Sequence, residues 1–261
     1  MCQEYSRYGG EKVKYGEIIE LGRHRLMCGD ATRREDVMQL IGKDTVNLVL
    51  TDPPYGIKIF HQNDTIGGRN SKASLWPGVI LQPRKHIAFK DDTRETAKGH
   101  YEIVRELTDK LIIWGGSYFT DFLPVSGGWI FWDKNRRGLD FSDGELAYCS
   151  WGNKIKYYKQ TWNGVCMEGN YKLNGRYEFG RQARIHPTQK PVELHMKILE
   201  DFSKPDDVIL DCFGGSGTTL IACEMTGRKC LMMEISPEYC NIIKERYTKL
   251  TEGMIHFASC N

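Results

Sequence analysis

Short apolar runs alternate with stretches of helical periodicity along this chain, the signature of an α/β protein. Arg25 to Cys28 reads as a short strand ending at Gly29-Asp30, and helical spacing follows from about Arg34 to Ile41. Val46 to Leu50 is a buried strand running into Thr51-Asp52, and Lys110 to Trp114 is another, broken by Gly115-Gly116. Trp129 to Trp132 and Glu145 to Trp151 fit an antiparallel hairpin across the intervening loop. Leu194, Ile198 and Phe202 recur at i, i+4 and i+8 on an amphipathic helix. The clearest βαβ unit comes last. Val208 to Leu210 forms a strand, and a glycine-rich turn over 214–217 leads into a helix from about Gly217 to Met225. Gly227 suits the C-cap, and Cys230 to Met233 is the next strand. Ser236-Pro237 then opens a helix whose Ile242, Ile243, Tyr247 and Leu250 share a face.

Composition narrows the class. The 261 residues suit one large domain, and 40% hydrophobic content fills a real core. A net charge of +2 does not by itself identify a nucleic-acid binder. Nine cysteines without a C-x-x-C pair argue against a zinc ribbon or a disulfide framework, so no metal site is expected and a reducing cytoplasm is the default. No signal peptide and no apolar run near 18 residues is found, which points away from secretion and membrane spanning.

Two stretches fit no regular pattern. Residues 57–90, rich in Gly, Asn, Ser and Lys, read as a long mobile loop. Residues 151–185 carry seven Lys or Arg against two Glu, with seven interleaved aromatics. That mixture suits phosphate contact plus base stacking, and equally a solvated surface lobe.

Three local motifs carry chemistry. Asp211 to Thr219 follows a strand and opens a helix, where α/β sheets bind adenosine-containing cofactors. Its glycines permit close backbone approach, and the absence of a following Lys excludes a Walker phosphate loop. Glu234, ending the next strand 23 residues later, is placed to accept hydrogen bonds from ribose hydroxyls. Asp52-Pro53-Pro54-Tyr55 is the most specific. Two prolines stiffen the chain beyond a strand end and push Asp52 out of the helical region. A carboxylate and nearby carbonyls are then fixed as acceptors aimed at one spot, while Tyr55 offers a face for a flipped-out base. An exocyclic amino group, whose lone pair is delocalised into the ring, becomes a nucleophile when its N–H groups are held by such acceptors. Taken alone, the dipeptide also fits an ordinary rigid turn.

Together these residues make the chain resemble the amino-methyltransferases of DNA, specifically the permuted β group, in which the catalytic motif precedes the recognition region and the cofactor loop comes last. Thr51 to Tyr55 matches the catalytic motif, and Asp211 to Thr219 matches the cofactor loop, with Cys212 where many members have proline. Ile185-His186-Pro187-Thr188-Gln189-Lys190-Pro191 matches the motif leading the helix beside the cofactor. Residues 1–15 match nothing assignable.

The resemblance implies S-adenosyl-L-methionine as cofactor. Asp30 would lie near its adenine, Phe213 would pack against it, the backbone of Gly215 and Gly217 would approach its methionine moiety, and Asp211 and Thr218 would also be cofactor contacts. Thr188 and Lys190 would lie near its carboxylate. It implies a single Rossmann-like domain over 1–261, with a mixed, mostly parallel, seven-stranded sheet and helices on both faces, and it makes 151–185 the target-recognition insertion. Double-stranded DNA is the implied partner, with a homodimer and a restriction endonuclease left open. Asp at the first motif position is typical of adenine N6 enzymes and Ser of cytosine N4 enzymes, so adenine is favoured over cytosine. Methylators of RNA or of protein glutamine carry Asn there and the reverse motif order, while non-catalytic subunits lose motif residues that are intact here. With no Cys flanking the prolines, the expected reaction is direct in-line transfer without a covalent enzyme intermediate.

Overall fold

The computed structural model describes residues 13–57, 93–135, 142–161 and 189–258, the last six by backbone only, together with the backbone of 172–173 and 176–177. The elements are β1 (Ile18–Leu21), β2 (His24–Cys28), α1 (Arg34–Ile41), β3 (Leu48–Thr51), α2 (Arg94–Val104), β4 (Leu111–Trp114), β5 (Gly128–Asp133) and β6 (Gly144–Cys149). They continue with β7 (Ile155–Lys159), β8 (Lys172–Leu173), β9 (Arg176–Tyr177), α3 (Val192–Phe202), β10 (Val208–Asp211), α4 (Thr218–Thr226), β11 (Lys229–Glu234) and α5 (Pro237–Ala258).

The main sheet runs β1-β2-β11-β10-β3-β4-β6-β5-β7. From β2 to β4 all neighbours are parallel, while β1 and the β4–β6–β5 pairings are antiparallel. The C-terminal strands therefore lie beside the N-terminal ones, and the 129–132 and 145–151 runs form the expected hairpin. The sheet has nine strands rather than seven. One extra edge is β1, a half-exposed strand paired with β2 through a turn at Gly22. The other is β7, whose side chains are exposed apart from Tyr158 and which falls inside the basic, aromatic 151–185 stretch. Edge strands bury little, so their hydrophobic signal is weak.

Period-two alternation divides the core. Leu48, Leu50, Ile209, Cys230 and Met232 face one side, packed with Leu194, Ile198 and Leu199 of α3 and with α4 and α5. Val49, Leu210, Leu231 and Met233 face the other, against Val37 and Leu40 of α1 and Ala97 and Tyr101 of α2. Buried on both faces, the central strands read as continuous apolar runs. Ser236 caps α5 by accepting a 3.3 Å hydrogen bond from the Tyr239 amide. Residues 58–90 and most of the expected recognition segment (162–171 and 178–185) lie outside the described residues. No described helix is long and apolar enough to cross a membrane.

Candidate active site

The parallel strands all point their carboxyl ends at one edge of the sheet, where ligands of open α/β folds bind. Cys28, Thr51, Trp114, Asp211 and Glu234 are their last residues, so the segments beyond them converge. This juxtaposition brings Asp30, Asp52 and the 212–217 loop together, although the chain separates Asp30 from Gly217 by 187 positions.

The glycine-rich loop is shaped by its backbone. The Gly214 amide donates to the Met233 carbonyl at 2.8 Å, and the Gly217 amide donates to the Gly214 carbonyl at 2.7 Å. Gly217 sits at φ 82° as N-cap of α4, a conformation that suits glycine. Glu234, 8% exposed, accepts from the Gly215 amide at 2.8 Å and the Ser236 amide at 3.0 Å, one bond per carboxylate oxygen. Lone pairs remain for a diol. Burial pushes its carboxyl up to about 7. Phe213 is half-buried, its ring 5.0 Å edge-to-face from His100 of α2. Thr218 Oγ1 donates to the Lys190 carbonyl at 3.3 Å. Asp30 accepts from the amide and hydroxyl of Thr32 at 2.8 and 2.7 Å.

Asp211 has a different surrounding from the rest of the loop. Its carboxylate is 4% exposed and accepts from Thr51 Oγ1 (2.9 Å), Thr219 Oγ1 (2.6 Å) and the Phe213 amide (3.1 Å). Burial raises it to about 6 in spite of those bonds. Thr219 spends its proton on Asp211, so it accepts from His195 Nδ1 at 3.1 Å. Burial holds the His195 imidazole down at about 3, which keeps it neutral. Asp211 thus ties the catalytic strand to the glycine loop.

At the Asp52-Pro53-Pro54-Tyr55 loop, Asp52 accepts a 2.6 Å hydrogen bond from Tyr55 and pairs with the Lys190 ammonium. Lys190 is 5% exposed, stands 4.9 Å over the Trp114 ring and lies 3.5 Å from Glu145, which in turn pairs with Lys134 at 2.5 Å. Burial works against the Lys190 charge, but Asp52 and Glu145 outweigh it and hold its pKa above the ordinary lysine value. Lys190 is therefore engaged with the Asp52 carboxylate. The Tyr55 ring stacks on Tyr118 (5.1 Å between centroids, 18° between planes) and packs on Gly115. Tyr118 itself is 44% exposed.

Every expected site residue among those described, Asp30, Asp52 to Tyr55, Lys190, Asp211 to Thr218 and Glu234, falls on this one edge. Thr188 lies outside the described residues. Sequence reasoning missed Tyr118, Glu145 and His100 as neighbours of the site, and it did not foresee the bond from Thr51 to Asp211. Among the described residues no group of three metal-ligating side chains occurs.

Comparison with known proteins agrees. The family model described as DNA methylase, N6_N4_Mtase, matches residues 130–245. The chain is 46% identical to the DNA adenine methyltransferase YhdJ of Escherichia coli (strain K12), covering 89% of this chain and 84% of that protein. It is 23% identical to the type II methyltransferase M.HpaI of Haemophilus parainfluenzae, over 85% of this chain and 73% of that one. In fold it matches the cytosine-N4-specific PvuII DNA methyltransferase with a TM-score of 0.55 at 16% identity, covering 94% and 96% of the two chains. Its motifs, its sheet edge and these relatives agree that the chain belongs to the N6-adenine and N4-cytosine DNA methyltransferases, the S-adenosylmethionine-using DNA methylase family.

Proposed function

We propose that this chain transfers a methyl group from S-adenosylmethionine to the N6 amino group of adenine in double-stranded DNA. One observation carries the reading: the Asp52 carboxylate and the Gly215–Glu234 cradle share one sheet edge, joined through the Thr51–Asp211 hydrogen bond.

The residues fit the cofactor. Glu234 keeps acceptor capacity for the ribose hydroxyls, Phe213 offers an apolar ring against His100, and the 214–217 backbone leaves room for the methionine moiety. Lys190 and Thr218 stand between that loop and Asp52. When bound, the sulfonium supplies an electrophilic methyl group.

The chain's own work is positional. Asp52 and the carbonyls of the stiffened Pro53-Pro54 turn accept the N–H bonds of the target amine, which frees its lone pair for in-line attack. With the cofactor bound, the N–CH3 bond would form as the S–CH3 bond breaks, and Asp52, whose side chain is 21% exposed, would take the proton shed by the nitrogen. The Tyr55–Tyr118 stack supplies aromatic surface for an extruded base.

Asp at the first motif position and the 46% identity to a DNA adenine methyltransferase support adenine. Relatives named as type II methyltransferases support a restriction-modification setting. The test is labelled-methyl incorporation into duplex DNA, followed by digestion to nucleosides and identification by mass. N6-methyladenine is expected, and N4-methylcytosine would overturn the choice of base. Asp52→Ala should abolish transfer while the cofactor still binds. Near-normal turnover would overturn the mechanism.

A further inference from the structure

Four alternating charges line up at the site: Lys134, Glu145, Lys190 and Asp52. Their formal charges sum to zero, and Lys134 and Lys190 are both buried. Glu145 lies on β6, opposite Trp132 of β5, on the same face as Ala147 and Cys149. That face packs against α3, whose N-terminus follows Lys190 by two residues. The strand order therefore delivers Glu145 to Lys190 from the far side of the sheet's centre.

The arrangement meets a specific need of the reaction. In this structure the Asp52 carboxylate is occupied by Lys190 and Tyr55. A target amine must take up acceptor capacity on that same carboxylate, which loosens its hold on Lys190. A buried ammonium left with a weakened counter-ion sheds its proton or drags the carboxylate back. Glu145 is the second counter-ion. Its Oε1 is bound to Lys134, while its Oε2, 3.5 Å from Lys190 Nζ, holds no hydrogen bond.

We propose that Glu145 is a positioning residue of the methyl transfer: it holds the Lys190 ammonium in place while Asp52 turns its lone pairs to the target amine. It acts through Lys190 and touches neither substrate nor cofactor. The inference rests on the reading of Asp52 as the amine acceptor.

Among the described residues, removing the Glu145 charge leaves Asp52 as the one carboxylate paired with Lys190. Of the other groups facing the ammonium, the Tyr55 hydroxyl is neutral, Trp114 presents a ring, and His195 behind that ring is kept neutral by burial. The Lys190 proton is then held less firmly, and its loss moves to lower pH.

The experiment is single-turnover methylation of duplex DNA by Glu145→Gln, with cofactor and DNA dissociation constants measured separately. The expected rate is about tenfold below wild type near neutral pH, with both dissociation constants little changed. As pH rises into the alkaline range the variant should slow while the wild type stays level. Glu145→Asp, which keeps the charge but retreats by one methylene, should show both effects in smaller measure. Wild-type rate and a level profile in Glu145→Gln, with Asp52→Ala inactive, would overturn the role of Glu145 and leave the Asp52 reading intact. An active Asp52→Ala would overturn that reading itself. Should the Gln variant not fold, Glu145→Asp decides: a slowed, alkaline-sensitive rate supports the role, and a wild-type profile overturns it.

Discussion

Thr51 Oγ1 donates a 2.9 Å hydrogen bond to Asp211 Oδ1, joining two residues 160 positions apart in the chain. Both side chains are buried, and each ends a strand of the central parallel sheet. Through this bond the Asp52-Pro53-Pro54-Tyr55 loop and the glycine-rich 214–217 loop share one anchor.

Thr51→Val removes that donor while keeping the shape of the side chain. Asp211 then keeps only Thr219 and the Phe213 amide, in an environment that already disfavours its charge. The expected cost is about 1–3 kcal/mol in urea unfolding, with slower methyl transfer. Thr51→Ser, which keeps the hydroxyl, should recover most of both.

Glu234 makes stability depend on pH. Its folded carboxyl titrates at about 7 because it is buried, against about 4.3 in an unfolded chain. The folded protein holds a proton that the unfolded chain has released, so stability falls as pH rises from the lower value to the higher. The loss is of order 3 kcal/mol for the cofactor-free protein. Glu234→Gln should flatten that slope in melting temperatures measured against pH. A smaller slope should remain up to about 6 from Asp211, which burial shifts the same way. Cofactor affinity should rise through pH 7 in the wild type, as the ionised carboxylate becomes available to the diol, and stay level in the variant.

Tyr118 extends the aromatic surface of Tyr55 to the protein's exterior. Tyr118→Ala should weaken capture of the flipped base by about 1–3 kcal/mol, the usual worth of a base–aromatic stack. A fluorescent adenine analogue at the target position would report this as a smaller signal increase on binding. Tyr118→Phe should behave as wild type.

Gly115 bears the Tyr55 ring directly. It sits at φ 70°, and a Cβ there would come 2.2 Å from Tyr55 Cε1. Gly115→Ala should therefore cost about 1–3 kcal/mol in backbone strain, and more if the ring cannot shift. Tyr55 would be pushed off the Tyr118 stack, so transfer should slow even where the variant stays folded. Denaturant unfolding and single-turnover rates check the two effects separately.

The sequence by itself determined the α/β class, the βαβ unit over 208–234 and the Asp52-Pro53-Pro54-Tyr55 loop. These are local properties: side-chain period, proline stiffness and glycine turns act over a few residues. It also placed the catalytic motif ahead of the cofactor loop, which the strand order brings together. Only the tertiary structure decided what each charge does. Lys190 lies 138 residues from Asp52 and 45 from Glu145, and no periodicity records that all three meet. Asp211 reads in sequence as a cofactor contact, yet its oxygens are taken by Thr51, Thr219 and the Phe213 amide. The edge strands β1 and β7 escaped notice because exposed strands need no apolar run. Pairing partners of buried charges follow from strand order, and strand order is a property of the whole sheet.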